Sequence, residues 1–193
     1  MPIRVILAAI IGGALMLGAG FIEHEQLHWL DRQMKTPVSV PALSDAIKAN
    51  CPDSGVYMFP KPPENFMKMS KEEQQKAWEQ MADKRALLVV PPKMPEFKME
   101  EFLIKEGVSN VIACFLAAIV VAMTRPSIGF VGRWFVVVLI GLFSVASLTA
   151  SYHIWYGFPL EYAQDELFCS ALEVAMAGVA IAAIVVPRER MGY

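Results

Sequence analysis

Long apolar segments alternate with polar ones along this chain of 193 residues. Four such segments, at 5–22, 107–124, 134–152 and 167–186, contain a single charged residue, Glu173. Each is about 18 residues or longer, which is roughly the length that a helix needs to cross the hydrocarbon core of a bilayer. The pattern therefore predicts an all-α membrane protein, a bundle of four transmembrane helices whose first helix takes residues 1–22.

Charged residues beside these segments predict their orientation. At one end of the segments lie Arg4, Arg125, Arg133, Arg188 and Arg190. The connection at 153–166 has no Lys or Arg and carries three acids. Because basic short loops stay in the cytoplasm, we expect a bacterial inner-membrane protein with both termini and the tail 187–193 cytoplasmic. Residues 23–106 would then lie outside the cytoplasm.

Composition agrees with a chain that has the lipid bilayer as its main partner. Hydrophobic residues make up 55% of the chain and charged residues 19%, and the mean hydropathy is +0.43, which is more apolar than ordinary soluble domains. The net charge of −2 offers no basic surface for nucleic acid. The phosphate-binding and dinucleotide-binding glycine motifs do not occur, so nucleotide binding has no support either.

The N-terminal segment allows a second interpretation. Small residues at 18–20 follow Arg4 and an apolar run, as in a secretory signal with its cleavage site. Cleavage would leave three spans. We favour an uncleaved helix because the run continues to Ile22 and small residues repeat every four positions, as in Ala8–Gly12 and Ala9–Gly13.

Residues 23–106 predict a small α+β lobe. Pro37 and Pro41 are expected to end an extension of the first helix, and 42–50 is a short amphipathic helix. Runs typical of strands occupy 55–59 and 86–90, each closed by prolines. Between them Ser70 and Glu73 form a capping box that opens a helix to about residue 85. From Met99 the chain is helical again and continues into the second span.

Two short motifs carry a resemblance to a family. GVYMFP at 55–60 follows the first helix, and WYGFP at 155–159 precedes the last span. With the order of the spans, they resemble the G-[LV]-Y-x-F-P and W-Y-x-F-P motifs of an uncharacterised family of small bacterial four-span inner-membrane proteins. The resemblance implies four spans and an outer lobe, and it implies no reaction, cofactor or partner.

Residues 24–28 read H-E-x-x-H, the pattern of zinc proteases. On an α-helix His24 and His28 would share a face and hold one zinc ion, or another transition metal, while Glu25 activates a bound water. Glu106 or His153 would be the third ligand, and a haem held by His153 and one of the other histidines is a further possibility. The alternative is a helix end at the membrane surface, where Trp29 fits an aromatic belt.

Polar residues predict a second candidate site at the outer membrane face. Asn110 begins the second span, and Glu173 lies about one and a half turns inside the fourth, on the face of Asp165 and Glu166. An intramembrane carboxyl is costly unless it is paired, neutral or in a wet cavity. We expect either a small pocket for a metal, a proton or a head group, or a buried carboxyl bonded to Asn110 or Ser147.

These features favour a function without catalysis. The sequence holds no complete catalytic set, and small residues on three spans are typical of helices that pack closely. We therefore expect an accessory or interaction subunit that docks onto other membrane-protein subunits or onto a second copy. The alternatives are a membrane-bound zinc hydrolase and a metal or ion site at the outer face.

Overall fold

The fold is described from a computed structural model, which covers residues 2–29 and 33–187 apart from the side chain of Lys84. Arg188 and Arg190, used in the charge argument, lie outside this range. The helices are α1 (Pro2–Ile22), α2 (Val40–Asn50), α3 (Lys71–Met81), α4 (Met99–Ala122), α5 (Phe130–Ser151) and α6 (Leu160–Ile184). The strands are β1 (Gly55–Phe59) and β2 (Ala86–Val90). Two compact units result, a helix bundle of Met1–Lys35 with Lys98–Tyr193 and a lobe of Thr36–Phe97.

Four helices of the bundle, α1, α4, α5 and α6, are long and apolar enough to cross a membrane, as the sequence predicts. Helix α4 starts at Met99 without a break before the apolar segment, which confirms that prediction. Helices α1 and α5 each continue into a π-helical turn of five residues, Glu23–Leu27 and Tyr152–Tyr156. Each turn is closed by a residue with left-handed backbone, His28 (φ 51°) and Gly157 (φ 75°).

Small residues set the packing of the bundle. Helix α1 packs against both α4 and α6, and α5 packs against α6, whereas α4 and α5 have little contact with each other. A Cβ atom on Gly13 would lie 2.8 Å from the backbone nitrogen of Val111, so α1 and α4 approach backbone to backbone. Ala8, Ala118 and Ile181 are fully buried at these contacts. The small residues of the first segment therefore do serve close packing, as predicted.

Two side chains at the start of α5 hold it against α6. Arg133, expected in a connection, is instead buried in the first turn of α5. Its Nε donates to the carbonyl of Ala182 at 2.9 Å and its Nη1 to the carbonyl of Ile128 at 2.6 Å. Because the last carbonyls of a helix lack partners within it, a cation here caps α6. The next residue, Trp134, donates its Nε1 to the carbonyl of Ala175 at 3.0 Å.

The lobe contains the predicted strands and helices with two changes at their ends. Strands β1 and β2 pair antiparallel with Tyr57 opposite Leu88, which confirms both. Pro41 lies in the first turn of α2, where proline is well tolerated, so the expectation that it ends the first helix was wrong. Ser70 and Glu73 form the predicted capping box, but α3 ends at Met81 and a 3-10 turn, Ala82–Lys84, follows it.

The WYGFP motif forms the turn between α5 and α6. Left-handed Gly157 closes the π-helical turn, which glycine does without a Cβ clash. Phe158 then stacks on Tyr152 at 5.3 Å between ring centroids and contacts Tyr162 at the same distance. The motif therefore has a structural role in joining the two helices.

Candidate functional site

The H-E-x-x-H residues lie at the end of α1 in a conformation that the sequence did not predict. Helix α1 ends at Ile22, so His24 and Glu25 belong to the π-helical turn and His28 follows it with left-handed backbone. The amide of His28 donates to the carbonyl of Glu23 at 2.8 Å, five residues back. The residues of the motif are therefore not in the α-helix that was expected, and His24, Glu25 and His28 are all exposed.

The third histidine lies at the corresponding end of α5. His153 is exposed in the π-helical turn, and its Nδ1 lies 2.7 Å from the carbonyl oxygen of Phe158. This contact fits an Nδ1–H donor and fixes the ring against the turn. In residues 2–29 and 33–187, no three His, Cys, Asp or Glu side chains are placed to hold a metal ion together. The zinc and haem hypotheses thus stay predictions without an assembled ligand set.

Buried polar side chains cluster at the end of the bundle where α1 finishes and α6 begins, which we call the polar end. Glu23 and Asp165 are there with exposed fractions of 4% and 5%. Glu23 continues the face of α1 that packs on its neighbours, and Cys169 of α6 lies beside its carboxyl group. Its Oε1 atom is buried and has no hydrogen-bond partner among the described residues.

Glu173 lies one helical turn further along α6 from Cys169. Its Oε1 packs against α1 so closely that a Cβ on Gly20 would lie 2.8 Å away. The expected hydrogen bond to Asn110 or Ser147 is not found among the described residues; Asn110 is buried in α4 and Ser147 is exposed. The neighbours whose charges act on Glu173 are instead three further carboxyl groups, those of Glu23, Glu106 and Glu166.

The chain that leaves α1 is fastened to α6 beside this cluster. Gln33 donates its Nε2 to Oδ2 of Asp165 at 2.9 Å. The ring of Trp29 lies 6.4 Å from the ring of Phe168, measured between centroids. Trp29 is half-buried, so it packs against a helix of its own chain in addition to any role at a membrane surface.

Sequence reasoning did not select Glu23, Gln33 or the contact of Cys169. The sequence does contain a pattern that indicates burial of Glu23. Residue 23 continues the helix face formed by residues 9, 13, 16 and 20, and those four residues are small or apolar. Glu23 was instead assigned to the outer lobe as the first polar residue after the apolar run. No sequence signal marks Gln33, since its partner Asp165 is distant in the chain.

A groove lies between α4 and α5, the two helices that have little contact. It has a volume of about 430 Å³, and α6 forms its floor. Most of its lining is apolar, and small residues contribute much of it, namely Ala113, Ala117, Gly141, Ser144 and Ala177. Within the described part of the chain no charged side chain lines it. The groove is therefore suited to an apolar occupant that approaches the helix backbones closely.

Comparison with known proteins gives no independent guide to the function. No protein family, no curated protein and no solved structure matches the chain. The candidate functions therefore rest on two features of the bundle, the carboxyl cluster at the polar end and the groove between α4 and α5.

Proposed function

We propose that this protein is a multi-pass bacterial inner-membrane protein that serves as an accessory subunit of a membrane complex. In this proposal the arginine-bearing end of the bundle faces the cytoplasm, following the positive-inside rule. The lobe then lies on the opposite side of the membrane. The family resemblance of the two aromatic motifs agrees with this arrangement.

The observation that carries the proposal is the groove between α4 and α5. A four-helix bundle normally brings each neighbouring pair of helices into contact, yet here α4 and α5 are separated along the groove. Small residues on its walls and floor permit a helix backbone to come close, which is how membrane helices associate in the absence of a hydrophobic driving force. We infer that the occupant is an apolar transmembrane helix of another protein.

A second copy of this chain fits the groove less well. Most homodimers are two-fold symmetric, so the same surface meets itself across the axis. A concave surface that meets itself encloses a larger void than either half, and voids forfeit packing energy. A convex helix from a different subunit fills the groove instead.

Photo-crosslinking in native membranes tests this proposal. A photoreactive phenylalanine derivative replaces Ser144, which lines the groove, and in a control protein it replaces the neighbouring Phe143, which is 78% exposed and lies outside the groove lining. We expect the Ser144 probe to give one protein adduct whose crosslinked peptide is an apolar segment of a different membrane protein. An added Ala113→Phe substitution, which fills the groove from α4, should abolish that adduct.

Three results would contradict the proposal. Adducts of the Ser144 probe with phospholipid alone would show a groove filled by lipid. An adduct with this chain itself would show a homo-oligomer. Equal yields from the Phe143 and Ser144 probes would show that the groove has no preferred occupant.

A further inference from the structure

Carboxyl groups from three elements of the bundle converge at the polar end. Glu23 lies in the turn after α1, Glu106 in α4, and Glu166 and Glu173 in α6. The Oε1 atom of Glu173 packs against α1 at Gly20, about one turn before Glu23, and the charges of Glu23, Glu106 and Glu166 act on Glu173. Carboxylates this close repel one another, so the ionised cluster is stabilised by additional positive charge.

A second observation points to a ligand. Glu23 is 4% exposed, and its Oε1 is a buried acceptor without a hydrogen-bond partner in the described part of the chain. Cys169 of α6 is a neighbour of this carboxyl group, and a thiol is only a weak donor. Buried acceptors are nearly always satisfied in native proteins. Glu23 therefore has a buried acceptor without a donor beside the other acids of this cluster.

The placement of the side chains decides what kind of cation fits. Since no three His, Cys, Asp or Glu side chains among the described residues are placed to coordinate one ion, a dehydrated metal has no ready ligand set there. Mg²⁺ gives up its water reluctantly and is commonly held by one or two carboxylates with several waters retained. Those waters are hydrogen-bond donors, which is what Oε1 of Glu23 lacks. The terminal torsion of Glu23 is soft, so its carboxyl group turns without a change in the backbone.

We propose that Glu23 and Glu173 bind a hydrated divalent cation of the Mg²⁺ type at the polar end of the bundle. The half-buried carboxyl group of Glu173 is the accessible contact, and that of Glu23 turns to accept a hydrogen bond from a bound water. Glu106 and Glu166 add negative charge around the ion without direct coordination.

Calorimetric titration of the full chain with MgCl₂ tests the site. The protein is held in nanodiscs of zwitterionic lipid, empty nanodiscs supply the blank, and NaCl of matched ionic strength controls for screening. We expect saturable Mg²⁺ binding that is weakened about tenfold or more in Glu23→Gln and in Glu173→Gln, because each variant loses a charge-assisted hydrogen bond. Glu161→Gln, an exposed acid of α6 outside the cluster, should bind like the wild type.

Competition with hexaamminecobalt(III) makes the test independent of any variant. This ion resembles hydrated Mg²⁺ in shape and does not exchange its ligands, so it should displace Mg²⁺ from the wild-type protein. Failure to displace Mg²⁺ would overturn binding through water. A heat of MgCl₂ addition no different from that of NaCl would overturn the site itself, as would unchanged affinity in both glutamine variants.

Discussion

The contact between α1 and α4 predicts a graded loss of stability when alanine replaces its glycines. At Gly13 a Cβ would lie 2.7 Å from Cγ2, 2.8 Å from the backbone nitrogen and 2.9 Å from Cα of Val111. Two of these three atoms are backbone, so no side-chain rotation relieves the clash. Ordinary contact begins at 3.4 Å, and the two helices must therefore separate locally by roughly 0.6 Å. A gap of that size forfeits about a quarter to a half of the dispersion energy of the separated atoms.

We therefore expect Gly13→Ala to lower the free energy of unfolding by about 1–3 kcal/mol, the usual cost of overpacking. Gly12→Ala should cost less, because its nearest atom is the Cys114 sulfur at 3.2 Å. Among the described residues, a Cβ atom on Gly18 would meet no packing partner within 4 Å. Gly18→Ala is therefore the matched control and should be neutral, or gain up to about 1 kcal/mol from helix propensity.

Unfolding by sodium dodecyl sulfate in mixed micelles, followed by circular dichroism, measures all three variants under one condition. The expected order of stability is Gly18→Ala, then Gly12→Ala, then Gly13→Ala. If Gly13→Ala were as stable as Gly18→Ala, α1 and α4 would not meet backbone to backbone at Val111.

Substitutions at four further positions test other parts of the fold. Ser70→Ala should speed hydrogen exchange over 71–81 by removing an N-cap worth about 1 kcal/mol; protection equal to the wild type would contradict the cap. The hydrogen bond from the Ser70 amide lowers the pKa of Glu73 below 4.5. The stabilisation of α3 by the Glu73 carboxylate is therefore complete above the unfolded pKa and is lost as the pH falls through the lower folded pKa. Glu73→Gln should not show this loss of protection in acid when hydrogen-exchange rates are corrected for the intrinsic pH dependence of exchange. Arg133→Lys keeps the positive charge but cannot reach both carbonyl groups that the guanidinium group bonds. The free energy of unfolding in detergent should therefore fall by about 1.5–3 kcal/mol. An unchanged unfolding midpoint would contradict the capping of α6. Gly157→Val should lower the thermal midpoint more than Gly157→Asn, since asparagine tolerates left-handed backbone; equal midpoints would contradict that conformation.

Much of the fold is predictable from local signals in the sequence. Apolar length locates the four long helices, because a helix that crosses hydrocarbon must satisfy its backbone within itself over a fixed distance. The prolines after 55–59 and 86–90 and the capping box at Ser70 locate the elements of the lobe to within a few residues. Local chemistry decides these features, so a single sequence contains them.

Features that depend on other helices were not predictable in the same way. The π-helical turn at Glu23–Leu27 and the left-handed His28 changed the geometry assumed for H-E-x-x-H. The burial of Arg133 depends on where α6 ends, and the neighbours of Glu173 depend on α1 packing against α6 at Gly20. The groove follows from the order in which the helices pack, which the lengths of the apolar segments leave open.

Native mass spectrometry of the protein extracted gently from its own membranes tests the central claim most directly. The account predicts a complex heavier than the 21.4 kDa chain that contains a different membrane protein. The Ala113→Phe variant should release the chain as a monomer, because the filled groove no longer accepts the partner helix. A monomer of the wild-type chain, or a complex made only of this chain, would contradict the account.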